Sequence, residues 1–141
     1  MRRLNMLQSG NALSLYMLSF LQKYFHRRKE RAERHHRWKC WLRELKLRTD
    51  EQFLYHWAAE HLTPAQHRAI EDLARIMELP TPYLFPADDI FLILYNTHAD
   101  FRDVEAMQAI EKHLHINFPS VYEQHYPHHF QLVDFLKIHE P

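Results

Sequence analysis

The sequence predicts an all-α protein: a long basic amphipathic helical arm followed by a small helical bundle. Three observations carry this. Apolar residues recur at spacings of three and four along most of the chain, the mark of helices buried on one face. Two segments begin with a threonine followed three positions later by glutamine, the signature of a helix start. Glycine occurs once, at Gly10, so the tight hairpins that need positive φ are scarce and such turns are expected at Asn or Asp.

The arm comes first. Leu13, Tyr16, Met17, Phe20, Leu21 and Tyr24 keep helical spacing, and the pattern continues through His26–Trp38. There Arg27, Arg28, Lys29, Arg31, Arg34 and Arg37 leave almost no apolar face, until Trp38, Trp41, Leu42 and Leu45 restore one. One long helix is the simplest reading of residues 1–48, and His35–His36 is where a break would fall.

The bundle, residues 49–141, opens on Thr49-Asp50-Glu51-Gln52, which has capping-box form and predicts a short helix with Phe53, Leu54, Trp57 and Ala58 inward. Thr63-Pro64-Ala65-Gln66 combines a capping Thr, proline at the first helical position and Gln. Ile70, Leu73, Ile76 and Met77 then face inward until Pro80 stops the helix. Pro80, Pro82 and Pro86 make an extended connection, and Asp88-Asp89 precede the apolar run Ile90–Tyr95. Periodicity does not separate a buried strand from a buried helical turn in so short a run; helices on both sides favour helix or irregular packing. Asp100 is expected to cap a helix over 101–115 with Val104, Met107, Ile110 and Leu114 on one face. Pro119 and Pro127 bracket a loop, and a last helix near 128–138 buries Leu132, Val133, Phe135 and Leu136.

Composition narrows the function classes. At 46% apolar and 13% aromatic residues, the chain holds enough for a core and too much for disorder. Its one cysteine, Cys40, excludes an internal disulfide and any cysteine-based zinc cluster, and a reducing, cytoplasmic location is expected. Arg2 and Arg3 precede the apolar run Ala12–Phe25, but Ser14, Ser19, Gln22 and Lys23 interrupt it and no small-residue cleavage pattern follows, so no signal peptide is expected; the run is also too short and too polar to span a bilayer. Thirteen of the 18 Lys/Arg lie before Thr49 and 15 of the 18 Asp/Glu from Thr49 onward. The zero net charge therefore hides ten positive charges in residues 1–48 and ten negative charges in 49–141. Such polarity marks a segment that meets a surface or a partner.

Within the acidic half, Val104-Glu105-Ala106-Met107-Gln108-Ala109-Ile110-Glu111-Lys112-His113-Leu114 resembles the acidic second helix of acyl carrier proteins, of the form V-E-x-x-x-x-[LI]-E-x-x-[FL]. His115-Ile116-Asn117-Phe118-Pro119 is similar to that family's x-I-x-I-P exit, and Phe130-Gln131-Leu132-Val133-Asp134-Phe135-Leu136 to its last helix. The Phe118…Tyr126-Pro127 spacing resembles that of a group of bacterial acyl-carrier-like proteins. With Gln66–Leu79 as the first helix, the resemblance covers about residues 65–138. It implies a carrier-like fold, but Asp100-Phe101-Arg102 stands where carriers have Asp-Ser-Leu. Phe101 has no hydroxyl to take phosphopantetheine, so carrier chemistry is not implied. What the resemblance leaves is an acidic helix that docks on basic partners through Asp100, Asp103, Glu105 and Glu111.

Other motifs offer less chemistry. His125 and His129 have ligand spacing, but Pro127 breaks a helix through both, and His113 and His115 point to different helix faces; no metal is expected. Asp100, Asp103 and Asp88-Asp89 are better read as helix-start residues than as an acid–base pair. The basic stretch 23–48, with its Trp and His residues, is a solvated helix, a surface for a protein, phosphates, lipid headgroups or bases, or the intramolecular partner of the acidic half. The expectation is a non-enzymatic, cofactor-free interaction protein. It meets a protein partner or an anionic membrane surface, as a cytoplasmic protein peripheral to the inner membrane. Tyr16, Phe20 and Tyr24 are its apolar anchor, and Arg27, Arg28, Arg31, Arg34 and Arg37 its cationic part; the same helix offers a homo-oligomer contact. The alternatives are a nucleic-acid-binding regulator using residues 23–48, or a non-canonical acyl-carrier-like accessory protein.

Overall fold

The computed structural model describes residues 2–96 and 100–138, with side chains from Met17 onward in those ranges and that of Leu15. These residues form helices and no strand: α1 (Arg2–Leu47), α2 (Asp50–Trp57), α3 (Pro64–Ile76), α4 (Ile90–Ile93), α5 (Arg102–Leu114), α6 (Phe118–His125) and α7 (Leu132–Leu136). The all-α expectation is met. The chain divides into two compact units, Met1–Arg37 and Trp38–Pro141. α1 is unbroken at His35–His36, where no proline or glycine interrupts the hydrogen-bond ladder.

The second unit is a helical body. Leu45, Leu73, Leu84, Ile90, Ile93, Ile110, Leu132 and Phe135 are its largest fully buried side chains. The last turns of α1 belong to it, because Trp41 and Leu45 lie in this core. Both capping boxes form, Thr49 with Gln52 and Thr63 with Gln66. α3 and α5 pack against each other. All four residues expected of the last helix, Leu132, Val133, Phe135 and Leu136, are buried.

Several local expectations are corrected. α2 buries Trp57, whose Nε1 donates to Leu84 O at 2.7 Å, while Leu54 and Ala58 face solvent; a two-turn helix has room for only one buried row. α5 begins at Arg102 behind Phe101, which makes no side-chain cap. The Asp100 carboxylate is held instead by the Arg102 guanidinium and backbone N–H, at 3.0 and 3.2 Å. Ala106 rather than Val104 joins Ile110 on the buried face, and small residues such as Ala106 and Ala69 let helices approach closely. Pro119 does not bracket a loop but sits in the first turn of α6, where its missing N–H costs nothing, and Asn117 caps Ser120 N at 3.3 Å. The run after Asp89 settles as the single turn α4, with Asp89 Oδ1 accepting from Phe91 N at 3.0 Å.

Left-handed backbone falls on residues the sequence did not mark. His61, Glu78 and His115 have φ of 48°, 52° and 55°. Glu78 ends α3 in a Schellman turn, with Leu79 N donating to Ala74 O and Glu78 N to Arg75 O. A non-glycine residue in this conformation costs roughly 1–2 kcal/mol.

One buried ion pair ties the body together. Arg48 follows α1, and its guanidinium grips Asp88 with Nη1 at 2.6 Å and Nη2 at 2.8 Å. Both side chains are nearly excluded from water, at 4% and 7% exposure. Asp88 also accepts from Trp41 Nε1 (3.1 Å) and Phe85 N (2.7 Å), and Arg48 donates to Tyr83 O at 3.0 Å. The guanidinium lies 3.8 Å from the Phe85 ring centroid. Burial alone would lower the Arg48 pKa, but the hydrogen bonds and charge of Asp88, with Glu44, raise it. Among the described residues, none accepts from Arg48 Nε.

Replacing Asp88 with Ala strands a buried guanidinium and should cost about 3–5 kcal/mol in urea unfolding, while removing both charges (R48M/D88A) should recover part of that loss. His115→Gly relieves left-handed strain at the exposed end of α5 and should stabilise by up to about 1 kcal/mol, read as a raised Tm.

Candidate interaction surfaces

In the N-terminal unit, Leu15, Met17, Leu18, Phe20, Leu21, Tyr24 and Phe25 are all exposed, Phe20 at 64% and Tyr24 at 53%. Tyr16 lies outside the described side chains. Between Leu15 and Lys29 there is no Asp or Glu, and Lys23, Arg27, Arg28 and Lys29 supply four cations. Helical geometry puts Met17, Phe20 and Tyr24 in one row with Arg27, Arg31 and Arg34, each step being three or four residues. The row is thus apolar at first and cationic further on. Arg27, Arg28, Arg31 and Arg37 are exposed, whereas Arg34 is half-buried. His26 Nε2 lies 3.1 Å from Glu30 Oε1 one turn further along the same helix.

In the body, the acidic residues separate by role. Asp103 accepts from Asn96 Nδ2 at 3.2 Å, which also reaches Asp100 O at 3.0 Å. Glu111 is turned to the fold: its Oε1 accepts from Phe118 N at 3.3 Å and holds the start of α6. Glu105 is exposed. With Ile76, Glu78, Asp100, Phe101 and Arg102 it lines an open groove of about 410 Å³ between the end of α3 and the start of α5. Phe101 is 82% exposed there. Arg102 is engaged on both sides, Nη1 to Glu78 Oε2 at 3.0 Å and Nη2 to Asp100 Oδ2 at 2.9 Å. These carboxylates raise its pKa, and Arg102 in turn holds Asp100 below the usual carboxylate range against the desolvation that would raise it.

A second cavity of about 200 Å³ adjoins the groove through Glu78 and Arg102, and is walled by Trp38, Leu42, Met77, Leu79, Pro80, Tyr95 and Asn96. Neither lining holds Ser, Cys or His; the polar side chains in them are Glu78, Tyr95, Asn96, Asp100, Arg102 and Glu105, with the Trp38 indole. Sequence reasoning found Asp100 and Glu105 but missed Glu78, Ile76 and Phe101 as neighbours. Glu78 belongs to no motif of its own, and the one hint that the helix ends there is Pro80, two residues on.

Across the α3–α5 contact, His113 Nε2 lies 2.6 Å from Asp72 Oδ2, both about a quarter exposed. Among the described residues no three His, Cys, Asp or Glu converge as metal ligands do, and no helix is long and apolar enough to cross a membrane. No family model, curated protein or solved structure matches the chain.

Burial would raise the Asp72 pKa, but hydrogen bonds and charge from Arg75 and His113 bring it below its ordinary value of 3.8. A depressed carboxylate stabilises the fold above its unfolded pKa and loses that contribution as pH falls through the folded one. The stability gap between wild type and Asp72→Asn, from urea titrations, should therefore be present near about pH 5 and close as pH falls below about 4.

Proposed function

We propose that this is a non-enzymatic interaction protein that docks on an anionic membrane surface through its N-terminal helix. One observation carries the reading: large apolar side chains stand exposed in a helical segment free of carboxylates, directly before a run of arginines. A helix of this kind lies in the plane of the interface, its apolar face in the acyl boundary and its cations at the headgroups. Met17, Phe20, Leu21, Tyr24 and Phe25 provide the anchor, each worth about 1 kcal/mol or more on transfer from water. Lys23, Arg27, Arg28 and Arg31 add about 1 kcal/mol apiece against anionic lipid. The helix docks without spanning, since its apolar stretch is too short and polar for that.

We read the body as carrier-like without carrier chemistry. The segments bearing the resemblance fold as α3, α5 and α7, which supports the reading, and the position of the carrier serine holds an exposed phenylalanine. On this reading the body presents an acidic docking surface at the start of α5.

Co-sedimentation with vesicles tests the proposal. The full chain should bind vesicles rich in phosphatidylglycerol and not pure phosphatidylcholine, with affinity falling as salt rises. R27E/R28E/R31E should weaken binding more than about a hundredfold, and F20S/Y24S should abolish retention at high salt. Equal binding to both vesicle types, or none, would sink it. Duplex DNA binding with a steep salt slope would replace it with the nucleic-acid reading.

A further inference from the structure

We infer that the groove between the end of α3 and the start of α5 is a docking site for the cationic N-terminal segment of a second copy of this chain. The inference does not rest on membrane binding.

The first argument is charge. Residues 1–37 carry nine Lys/Arg against two Asp/Glu, and residues 38–141 carry nine against 16. The two units that the contacts define thus bear seven positive and seven negative charges. Opposite fields of equal size on one molecule draw two copies together with the unlike units facing.

The second argument is the composition of the groove. Glu78, Asp100 and Glu105 give it three carboxylates to the single guanidinium of Arg102. Glu78 has 71% of its side chain exposed and Asp100 43%, so both present carboxylate to an incoming guanidinium. Phe101 and Val104 stand exposed at the start of α5, and Ile76 is in the lining. An arginine-rich helix with aromatic neighbours matches both features, since a guanidinium pairs with carboxylate and stacks on a ring face.

The third argument concerns a competing contact between copies. Two N-terminal helices zipped in parallel and in register along the row of Met17, Phe20 and Tyr24 would bring Arg27 and Arg31 against their own counterparts, a repulsive seam. The acidic groove offers Arg27 and Arg31 opposite charge, which such a parallel pair does not.

Light scattering after size exclusion of the full chain, over a range of concentrations, tests this. At low salt the mass should rise towards the dimer with concentration, and at about 1 M salt, where screening acts within about 3 Å, it should return to the monomer. R27E/R28E/R31E and E78K/E105K should each weaken association about tenfold or more, with circular dichroism confirming an unchanged helical fold. An equimolar mixture of the two variants restores opposite charges across the contact and should recover the higher mass that neither shows alone. A chain monomeric at every concentration and salt overturns the inference. So does a mixture that stays monomeric, or a dimer that survives both charge reversals and falls apart only in F20S/Y24S, which would be an apolar contact between N-terminal helices.

Discussion

Among the described residues, the body is organised around one sequestered ion pair. Arg48 leaves the end of α1 and meets Asp88 deep in the connection between α3 and α4. From these two side chains hydrogen bonds reach Trp41 on α1, Tyr83 and Phe85 in the connection, and Glu44 one turn back. The Asp88 carbonyl accepts from Leu132 N at 2.7 Å, which adds the start of α7. Residues 80–89 have few regular hydrogen bonds of their own, so their path is set by what they bond to. A buried pair of this kind contributes little net energy compared with an apolar replacement, but it penalises every arrangement that separates the charges. Its role is to choose one path for an otherwise underdetermined segment.

That choice places the candidate surface. With Thr81 Oγ1 held on Leu45 O at 3.0 Å and α3 closed by Leu79 and the left-handed Glu78, the chain leaves α3 in a defined direction. Glu78 then faces Arg102 at the head of α5. The groove exists because a helix exit and a helix start are brought side by side. Asp100 flanks a helix start, where the helix dipole favours a carboxylate, whereas Glu78 stands at a helix stop, where the dipole does not.

Much of this was readable from residue order where the physics is local. Thr49/Gln52 and Thr63/Gln66 announce their helices because a capping box satisfies backbone donors within four residues. Leu132, Val133, Phe135 and Leu136 announce burial by apolarity alone. What depended on distant partners was not legible. Asp88 looked like one of a pair of helix-start residues, and only Arg48, far along the chain, reveals it as buried. The inner face of α5 was displaced from Val104 to Ala106, since which row is buried depends on how α3 lies against it. Pro119 was ambiguous in principle, because proline both ends helices and opens them. For the interaction surfaces, the helical row of aromatic and cationic residues was visible in the spacing, but its exposure was not, since the same spacing suits a buried face; the groove joins residues from two separate segments.

The placement of the tryptophans has a practical corollary. All three, Trp38, Trp41 and Trp57, fall in the second unit: Trp38 rests against Tyr95 with ring centroids 5.3 Å apart, Trp41 donates to Asp88, and Trp57 to Leu84. Residues 1–37 contain tyrosine and no tryptophan. Intrinsic emission excited at the red edge therefore arises from the second unit, so a fluorophore placed before Arg37, chosen not to absorb tryptophan emission, would give a separate signal from the other unit in the same sample.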